Sequence, residues 1–305
     1  MGVDLGSTTA KVVILDGSGE IRAAEVVQMG AVSRAGMARA IDAALGAAGL
    51  VEADITHTIA TGYGRKMVPG AGRTFTEITC HARGVAAMCP GVRLVVDIGG
   101  QDSKAILVDD WGTAENFAMN DRCASGTGRF FEVLARAIEC EIEELADLAL
   151  AGTKNLEVSS MCATFAETEL ISLLAQGERR EDIAASVHRA VAARTMGLIA
   201  QVGRHTPVVM TGGVARNAAA VHFLAEAVRS EVTVPASPQI TGAYGAALLA
   251  RDGSGPAARG AGETTVGARV PARSCATCEV TAVHDVTAVH EITAVHDVAA
   301  RGRTT

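Results

Sequence analysis

The sequence predicts an α/β protein whose two similar halves face one another across a cleft. The main observation is an internal repeat: the stretches 4–16 and 97–109 share Asp, Gly, Lys and Asp at a constant offset of 93 residues, with their apolar positions in step. A repeat of this length indicates a duplicated structural unit. Two unrelated strand–turn–strand hairpins are the alternative. Segments with helical spacing alternate with the strand-like runs, which completes the α/β pattern.

Length, charge and composition exclude several classes of protein. The 305 residues suffice for two domains of ordinary size, and the net charge of −7 argues against a nucleic-acid binder, which normally has a basic face. Apolar runs stay well short of the ~18 to 20 residues of a membrane span, and the N-terminal residues do not follow the pattern of a signal peptide. Seven cysteines without regular disulfide spacing indicate reduced thiols. We therefore expect a cytoplasmic protein with neither nucleic-acid nor membrane partners.

The first half opens with a β-meander, followed by a helix and a short strand. Apolar alternation and glycine turns define these elements. The predicted segments are, in order, strands 3–5, 10–15 and 20–28, helix 35–49 and strand 55–60. Since only three residues precede Asp4, the first strand is very short, which leaves open a start further upstream.

The second half begins with an apolar run typical of a strand covered on both faces. Its predicted segments are strand 92–97, a returning strand within 98–108, helix 180–202, a strand and Gly-Gly turn at 207–213, a helix to 229, strand 232–235 and helix 241–250. We predict a first domain of residues 1–91, completed by the helix 241–250, and a second domain of residues 92–240.

Residues 251–305 form a predicted tail of different composition. A linker rich in Gly, Ala and Arg spans 251–273, and a hexapeptide then repeats three times behind a Cys275-Ala-Thr-Cys278 motif. A period of six places His284, His290 and His296 on one face of a strand, so a Cys/His metal site is one interpretation. We favour an appended, partly disordered low-complexity segment.

The repeated hairpins have the residues that a phosphate-binding turn requires. An acidic residue can hold Mg²⁺ through water, a glycine lets the main chain approach, and hydroxyl or amide groups donate to phosphate oxygens. The first hairpin offers Asp4, Gly6, Ser7, Thr8 and Thr9, and the second offers Asp97, Gly99, Gly100 and Gln101. A further Gly-Gly turn, Gly212 and Gly213, follows a strand and suits an adenosine contact. Each turn alone is a weak signal, but their order together predicts a triphosphate site.

Two cysteines lie in similar contexts. Cys123 precedes the turn Gly126-Thr-Gly128, and Cys162 follows polar residues that favour a helix start. We predict that each lies at a helix N-terminus, where the positive end of the dipole favours the thiolate that binds metal. The glycine turn is equally suited to a phosphate. Two buried small apolar side chains are the alternative for the cysteines.

The order of these motifs resembles that of the actin, sugar-kinase and Hsp70 ATPase superfamily. Within it, two segments resemble the activators of 2-hydroxyacyl-CoA dehydratases, a family shared with the ATP-binding subunits of benzoyl-CoA reductase. They are Asn120-Asp-Arg-Cys-Ala-Ser-Gly-Thr-Gly-Arg-Phe and Ser159-Ser-Met-Cys-Ala-Thr-Phe-Ala-Glu-Thr-Glu-Leu-Ile-Ser. The similarity covers roughly residues 2–250. It implies duplicated actin-like (ribonuclease H-like) ATPase domains with the nucleotide cleft between them.

The resemblance also implies cofactors and partners. These are ATP or ADP, Mg²⁺ and one [4Fe–4S] cluster per homodimer, held by Cys123 and Cys162 of each copy. ATP hydrolysis would drive an electron from ferredoxin or flavodoxin onto an iron–sulfur dehydratase or reductase that acts on an acyl-CoA. Because such a cluster is normally held by four thiolates and one chain offers two in this context, the count agrees with a closed two-fold dimer.

Residue roles follow position by position. Asp4 and Asp97 are expected to organise Mg²⁺ and water, and Asp97 or Gln101 to position the attacking water, so these three are the predicted catalytic residues. The predicted nucleotide-binding set is Gly6, Ser7, Thr8, Thr9, Ala10, Lys11, Gly99, Gly100, Gln101, Gly126, Gly128, Gly212, Gly213, Asn217 and Gln239.

Three alternatives to a dehydratase activator stay open. The chain could be an ATP-binding subunit of benzoyl-CoA reductase, which works in a fixed complex. It could be a small-molecule kinase with structural cysteines, whose ATP turnover would require a hydroxyl substrate. It could also be a nucleotide-gated binding module that transfers no electron.

Overall fold

Two five-stranded sheets form the frame of the protein. In this computed structural model the residues described are 1–29, 33–158 and 163–253, so Cys162 and the predicted tail lie outside the described residues. The strands are β1 Gly2–Leu5, β2 Thr9–Leu15, β3 Ile21–Gln28, β4 Ile59–Thr61, β5 Arg73–Thr74, β6 Leu94–Ile98, β7 Ser103–Val108, β8 Ala114–Asn120, β9 Val208–Thr211 and β10 Val232–Thr233. The first sheet has the order β3-β2-β1-β4-β5 and the second has β10-β9-β6-β7-β8.

Helices connect and cover these sheets. They are α1 Arg34–Ala48, α2 Glu77–Met88, α3 Gly128–Ala137, α4 Leu145–Leu150, α5 Ala163–Ala175, α6 Arg180–Val202, α7 Ala218–Val228 and α8 Thr241–Asp252. Short 3₁₀ turns occur at Glu52–Asp54, Arg65–Met67, Ile142–Glu144 and Gly213–Arg216. No helix of the described ranges combines the length and apolar character needed to cross a bilayer.

The repeat in the sequence is a repeat in the structure. Asp4 pairs with Lys11 across β1 and β2, and Asp97 pairs with Lys104 across β6 and β7. The correspondence extends beyond the residues that match in sequence, because the third strands have the same register and a bulge at the same place. The register of β2 with β3 shifts between Ile14 and Leu15. The register of β7 with β8 shifts between Leu107 and Val108, which are the same two positions 93 residues later. The prediction of two similar halves is confirmed.

The duplication also includes the parallel strand beside each hairpin. β4 runs parallel to β1 with Thr61 opposite Asp4, and β9 runs parallel to β6 with Thr211 opposite Asp97. β1, β4, β6 and β9 are buried along their whole length, as expected for strands covered on both faces. The carboxyl ends of these central strands therefore present Asp4 and Asp97 at corresponding places.

Helices α2 and α8 join the two halves. Their small residues allow the backbones to touch, since a Cβ added at Gly84 or Gly245 would collide with the backbone of the other helix. Ala243 and Ala247 of α8 belong to one apolar cluster with Val13 of the first sheet and with the second sheet. α8 also contacts β1, β2 and β4.

Some predicted boundaries were wrong. β4 covers Ile59–Thr61 rather than 55–60, because β1 pairs with it only from Gly2 to Asp4 and the preceding Glu52–Asp54 forms a 3₁₀ turn. β10 covers only Val232–Thr233 rather than 232–235, since only two of its residues pair with β9. Helix α2 and strand β8 were not predicted from the sequence.

Candidate functional site

A polar cleft of about 160 Å³ lies where the two duplicated hairpins meet. Twelve of the residues predicted to bind nucleotide or metal line it together: Asp4, Gly6, Ser7, Thr8, Thr9, Lys11, Asp97, Gly99, Gly100, Gly212, Gly213 and Gln239. Residues not predicted also line it: Gln28, Tyr63, Glu77, His81, Asp102, Lys104 and Glu132. The two halves thus contribute to one site, which the sequence predicted from their order alone.

The turns of the two hairpins touch at the mouth of the cleft. A Cβ added at Gly100 would lie 2.7 Å from the Thr8 hydroxyl, so a larger residue there would require the Thr8 side chain to move. Gly212 has φ +86° and would collide with the carbonyl of Ile98 if it carried a side chain. Gly62 occupies the equivalent place in the first half, with φ +89°. Both halves therefore use the same glycine conformation beside their hairpin.

Lys104 neutralises a group of carboxylates at the floor of the cleft. Its side chain is 2% exposed, and its Nζ lies 2.7 Å from Asp102, 3.1 Å from Glu77 and 3.3 Å from Asp97. Burial acts to lower the pKa of Lys104, but the three carboxylates outweigh it and raise the pKa above its usual value. The ammonium group is therefore fully charged and held by its partners.

Lys11 is the counterpart of Lys104 in the repeat, but its surroundings differ. Its Nζ lies 3.1 Å from Asp4, and its side chain is 17% exposed. Thr9 stands where the second half has Asp102. Because Lys11 contacts one carboxylate and reaches the open part of the cleft, it has donors to offer to a phosphate. Lys104 does not have this freedom.

Asp97 is an ionised carboxylate within a buried network. Burial would raise its pKa, but the charges of His81 and Lys104 and a hydrogen bond from the Thr211 hydroxyl (2.8 Å) together hold the pKa below its usual value. His81 Nδ1 lies 3.7 Å from Asp97 and 3.0 Å from the Thr241 hydroxyl. Such oxygen donors suit Mg²⁺ or its bound waters.

Helix α2 brings two residues to the cleft that sequence reasoning missed. Glu77 is in its first turn, after the N-cap Thr76, and His81 lies one turn further on. Burial is the main cause that raises the pKa of Glu77, and Lys104 opposes it. The capping threonine followed by an acidic residue is a helix-start signal that could have revealed α2. The placement of α2 against the hairpins has no local signal.

Five of the predicted binding residues lie outside the set that lines the cleft. Ala10 is buried within β2, and Gln101 is exposed beside the second turn. Asn217 caps helix α7 by accepting from Ala220 N, and its amide nitrogen lies 3.1 Å from His188 Nε2. The remaining two, Gly126 and Gly128, belong to the segment that carries Cys123. Their roles in binding stay predictions.

Cys123 lies in a loop that leads from β8 to α3. The thiol is half-buried, and its Sγ lies 2.8 Å from the Ser125 hydroxyl. The prediction that Cys123 is at a helix N-terminus was wrong in detail, because α3 has its N-cap at Thr127, four residues later. The prediction that the glycine turn opens a helix is confirmed, since α3 begins at Gly128.

Arg194 of α6 lies beside this loop. Its stem approaches Gly126, where an added Cβ would lie 3.8 Å from the Arg194 Cβ, and its guanidinium lies over the Phe130 ring at 5.4 Å. Burial lowers the pKa of Arg194, while the charge of Cys123 acts in the opposite direction. A cation is therefore near the thiol.

Cys162 lies outside the described residues, but helix α5 begins at Ala163, the next residue in the sequence. Helices α3 and α5 pack against each other through the apolar cluster that contains Phe130, Leu134, Ala166 and Leu170. Among residues 1–29, 33–158 and 163–253, no group of three or more His, Cys, Asp or Glu side chains could hold a metal ion. The described part of one chain thus contributes only one of the predicted thiol ligands.

Comparison with known proteins identifies relatives of the whole described region. The model of the BadF/BadG/BcrA/BcrD ATPase family matches residues 1–250. The activator of lactoyl-CoA dehydratase of Anaerotignum propionicum is 48% identical over 250 residues, which cover 82% of this chain and 96% of the relative. One of the subunits of the benzoyl-CoA reductase of Thauera aromatica is 34% identical over 208 residues, covering 66% and 73%.

Solved structures give the same result. Component A of the (R)-2-hydroxyglutaryl-CoA dehydratase of Acidaminococcus fermentans has a TM-score of 0.79 at 44% identity and covers 82% of this chain and 96% of its own. The activator of the 2-hydroxyisocaproyl-CoA dehydratase of Clostridium difficile with bound ADPNP has a TM-score of 0.78 at 43% identity. The match covers 82% of this chain and 93% of the activator. A ROK family glucokinase of Streptomyces griseus has a TM-score of 0.51 at 16% identity, covering 83% and 99%, and shares the fold alone. The predicted duplicated actin-like fold is confirmed.

Proposed function

The chain belongs to the BadF/BadG/BcrA/BcrD ATPase family, and from this membership we propose that it is an ATP-dependent activator of a 2-hydroxyacyl-CoA dehydratase. In this role it hydrolyses ATP and passes a low-potential electron to its partner enzyme. The observation that carries the proposal is the arrangement of the site: a polar cleft lined by both halves lies next to the loop of Cys123, in a chain 48% identical to a protein named as an activator of lactoyl-CoA dehydratase. We place this activity in the cytoplasm.

The cleft suits a magnesium nucleotide. Asp4 and Asp97 face it from the two halves, and the ionised carboxylate of Asp97 has the oxygen donors that Mg²⁺ prefers. In this proposal, backbone groups and hydroxyls of the segment from Ser7 to Lys11 bind the phosphates, with the Lys11 ammonium as a charged donor. Gly212 and Gly213 form the wall predicted for the adenosine. A bound nucleotide would therefore contact both halves at once.

Hydrolysis requires a water molecule in line with the terminal phosphate. We assign its positioning to Asp97, or to Gln101 at the exposed end of the second turn. Lys104 keeps Asp97 and Asp102 in place, because it contacts both carboxylates in a buried site. Asp97 therefore keeps both its charge and its orientation during turnover.

The thiol loop suits half of a [4Fe–4S] site. A half-buried thiol with a cation nearby is the donor that an iron–sulfur cluster needs. In this proposal Cys123 and Cys162 each provide one thiolate, and a second copy of the chain provides the other two. When bound, the cluster supplies one-electron transfer. The chain itself contributes the thiolates, the Arg194 charge and the connection to the cleft.

The proposal is tested by purifying the full chain without oxygen and measuring iron, acid-labile sulfide, mass in solution and ATP turnover. We expect about four irons per two chains and ATP hydrolysis without any added hydroxyl substrate. Cys123→Ser and Cys162→Ser should each remove the iron. Cys140→Ser is the matched control, because Cys140 is also half-buried but lies outside both predicted ligand segments. A metal-poor wild type whose ATP turnover requires a hydroxyl compound would instead indicate a kinase.

An ATP-binding subunit of benzoyl-CoA reductase is the second candidate, because a subunit of that enzyme is also a relative, at 34% identity. Such a subunit works in a fixed complex. If the chain, purified from its own source, stays with other reductase subunits through gel filtration, this candidate replaces the activator. If it elutes as a dimer and reduces a separately purified dehydratase with ferredoxin or flavodoxin as donor, the activator is supported.

A further inference from the structure

The loop of Cys123, residues 121–127, is fastened at its start by one side chain. Asn120, the last residue of β8, donates from Nδ2 to the carbonyls of Cys123 (2.8 Å) and Ser125 (3.2 Å). Its Oδ1 accepts from the Cys123 N–H at 3.2 Å. A single amide thus makes three bonds to the backbone of the loop, two of them to the cysteine itself.

The same loop is fastened at its end to the nucleotide cleft. The first N–H groups of a helix have no partner inside the helix. In α3 two of them donate to the second phosphate turn: Gly128 N to Gly99 O at 2.8 Å and Arg129 N to Gly100 O at 2.9 Å. The Thr127 hydroxyl donates back to Ala124 instead of capping the helix. The start of α3 is therefore held by the turn that lines the cleft.

Close packing makes this connection stiff. A Cβ added at Gly128 would lie 3.2 Å from both Gly100 Cα and Gly99 O, so the two backbones are in contact there. On its other side Gly100 contacts Thr8 of the first half. A nucleotide bound between the turns touches Gly99 and Gly100 directly. Any shift of that turn is passed to the start of α3 through two hydrogen bonds.

The bonds that Asn120 makes to the loop are an addition to the duplicated scaffold. The repeat places Val27 where the second half has Asn120, since Val27 pairs with Ala10 as Asn120 pairs with Ser103. Valine has no side-chain donor or acceptor. The three bonds of Asn120 therefore have no counterpart on the first hairpin, and they occur in the half that carries the thiol.

We propose that Asn120 is a positioning residue for Cys123, and that the bonds from Gly128 and Arg129 to the phosphate turn transmit nucleotide occupancy to the thiol. The significance for electron transfer rests on the proposed function. The coupling itself concerns only residues of this chain, so it exists or fails whether or not a cluster is bound. With Asn120 in place the loop moves as one unit with α3. Without it, the thiol becomes independent of the cleft.

The test uses the full chain, free of metal and with its thiols reduced. The rate of Cys123 alkylation is followed by peptide mass spectrometry without nucleotide, with Mg·ADP and with a magnesium complex of a non-hydrolysable ATP analogue. In the wild type we expect nucleotide to change the alkylation rate of Cys123 by at least about threefold, because gaining or losing one hydrogen bond changes an equilibrium by about that factor. Asn120→Asp keeps the size and the acceptor but loses the donor, and its rate should not respond to nucleotide. Nucleotide affinity, measured separately by calorimetry, should stay within about twofold of the wild type in this variant.

Asn116→Asp is the matched control on the same strand, because Asn116 is exposed and its side chain accepts from the neighbouring Phe117 N–H rather than from the thiol loop. It should respond to nucleotide as the wild type does. Hydrogen exchange of the wild-type peptide 121–131 keeps the proposal testable if Asn120→Asp fails to fold, and nucleotide should slow that exchange. A wild-type alkylation rate indifferent to nucleotide, unchanged exchange, or an Asn120→Asp variant with the wild-type response would each overturn the proposal. Iron content is measured separately, so a chain that binds no cluster but shows the coupling contradicts only the proposed function.

Discussion

The two lysines of the repeat give a matched pair of perturbations. In the wild type, Lys104 Nζ lies within 3.3 Å of carboxylates of Asp97, Asp102 and Glu77. Lys104→Met replaces it by an apolar side chain of similar length and removes this cation from all three. Removing one partner of a buried ionic group costs about 3–5 kcal/mol of unfolding free energy. In Lys11→Met, one contact with Asp4 is lost at a side chain that is 17% exposed, so we expect about 1 kcal/mol or less. Lys11→Met should instead weaken nucleotide binding.

The pH dependence of the Lys104→Met variant follows from the same contacts. In the wild type, the pKa of Asp97 is held below its usual range, so its stabilisation is present above the ordinary pKa of an aspartate and is lost as the pH falls through the folded pKa. Without Lys104, the pKa values of Asp97 and Glu77 in the folded state rise. A group with a raised folded pKa loses stability as the pH rises. The deficit of Lys104→Met should therefore grow as the pH rises from ~4, the ordinary pKa of a carboxyl group, to ~7.

Urea unfolding of the wild type and both variants, followed by circular dichroism at the two pH values, measures these differences. The midpoint of Lys104→Met should fall well below that of Lys11→Met, and the gap should widen at the higher pH. If the two variants lose equal stability, or if the deficit of Lys104→Met does not depend on pH, then the buried carboxylates are not held by Lys104 as described.

Three further predictions test other parts of the molecule. Gly212→Ala should cost at least about 2 kcal/mol of stability and abolish nucleotide binding, because φ is +86° and a Cβ would strike a backbone carbonyl. Gly46→Ala is the control: its Cβ would meet open space among the described residues, so it should cost nothing. Thermal unfolding measures the stability of both variants, and calorimetry measures their nucleotide binding. Arg194→Gln should lower the free energy of unfolding by about 1 kcal/mol, because it removes a half-buried guanidinium that lies 5.4 Å from the centre of the Phe130 ring, and urea unfolding checks this. Burial lowers the pKa of His188 from 6.5 to about 4, so folding should become less favourable by about 3 kcal/mol as the pH falls between these values, and His188→Gln should flatten this part of the stability curve.

The sequence predicted those parts of the fold that the chain repeats. Asp4 and Lys11 recur as Asp97 and Lys104 because both pairs face one cleft, and this similarity was enough to infer the duplicated hairpins. The third strand of the second hairpin was not predicted, since β8 is mostly exposed and its match to β3 lies in backbone register rather than in residue type.

The missed site residues share a different cause. Glu77 and His81 reach the cleft because α2 packs between the sheets, which is a long-range contact without a local signature. Asn120 was part of the motif that suggested the family, but its three bonds to the thiol loop depend on how the chain turns after β8. Residue types and their spacing indicate which chemical groups a segment offers. They do not indicate which distant residues pack beside those groups, as the carboxylates around Lys104 do.

The proposed coupling between the nucleotide and the redox centre can be measured by a redox titration of anaerobically purified protein, followed by absorbance and electron paramagnetic resonance with and without Mg·ATP. We predict a one-electron centre that is absent from Cys123→Ser and whose midpoint potential changes when nucleotide fills the cleft. A wild type without such a centre, or a centre whose potential and spectrum ignore the nucleotide, would contradict it.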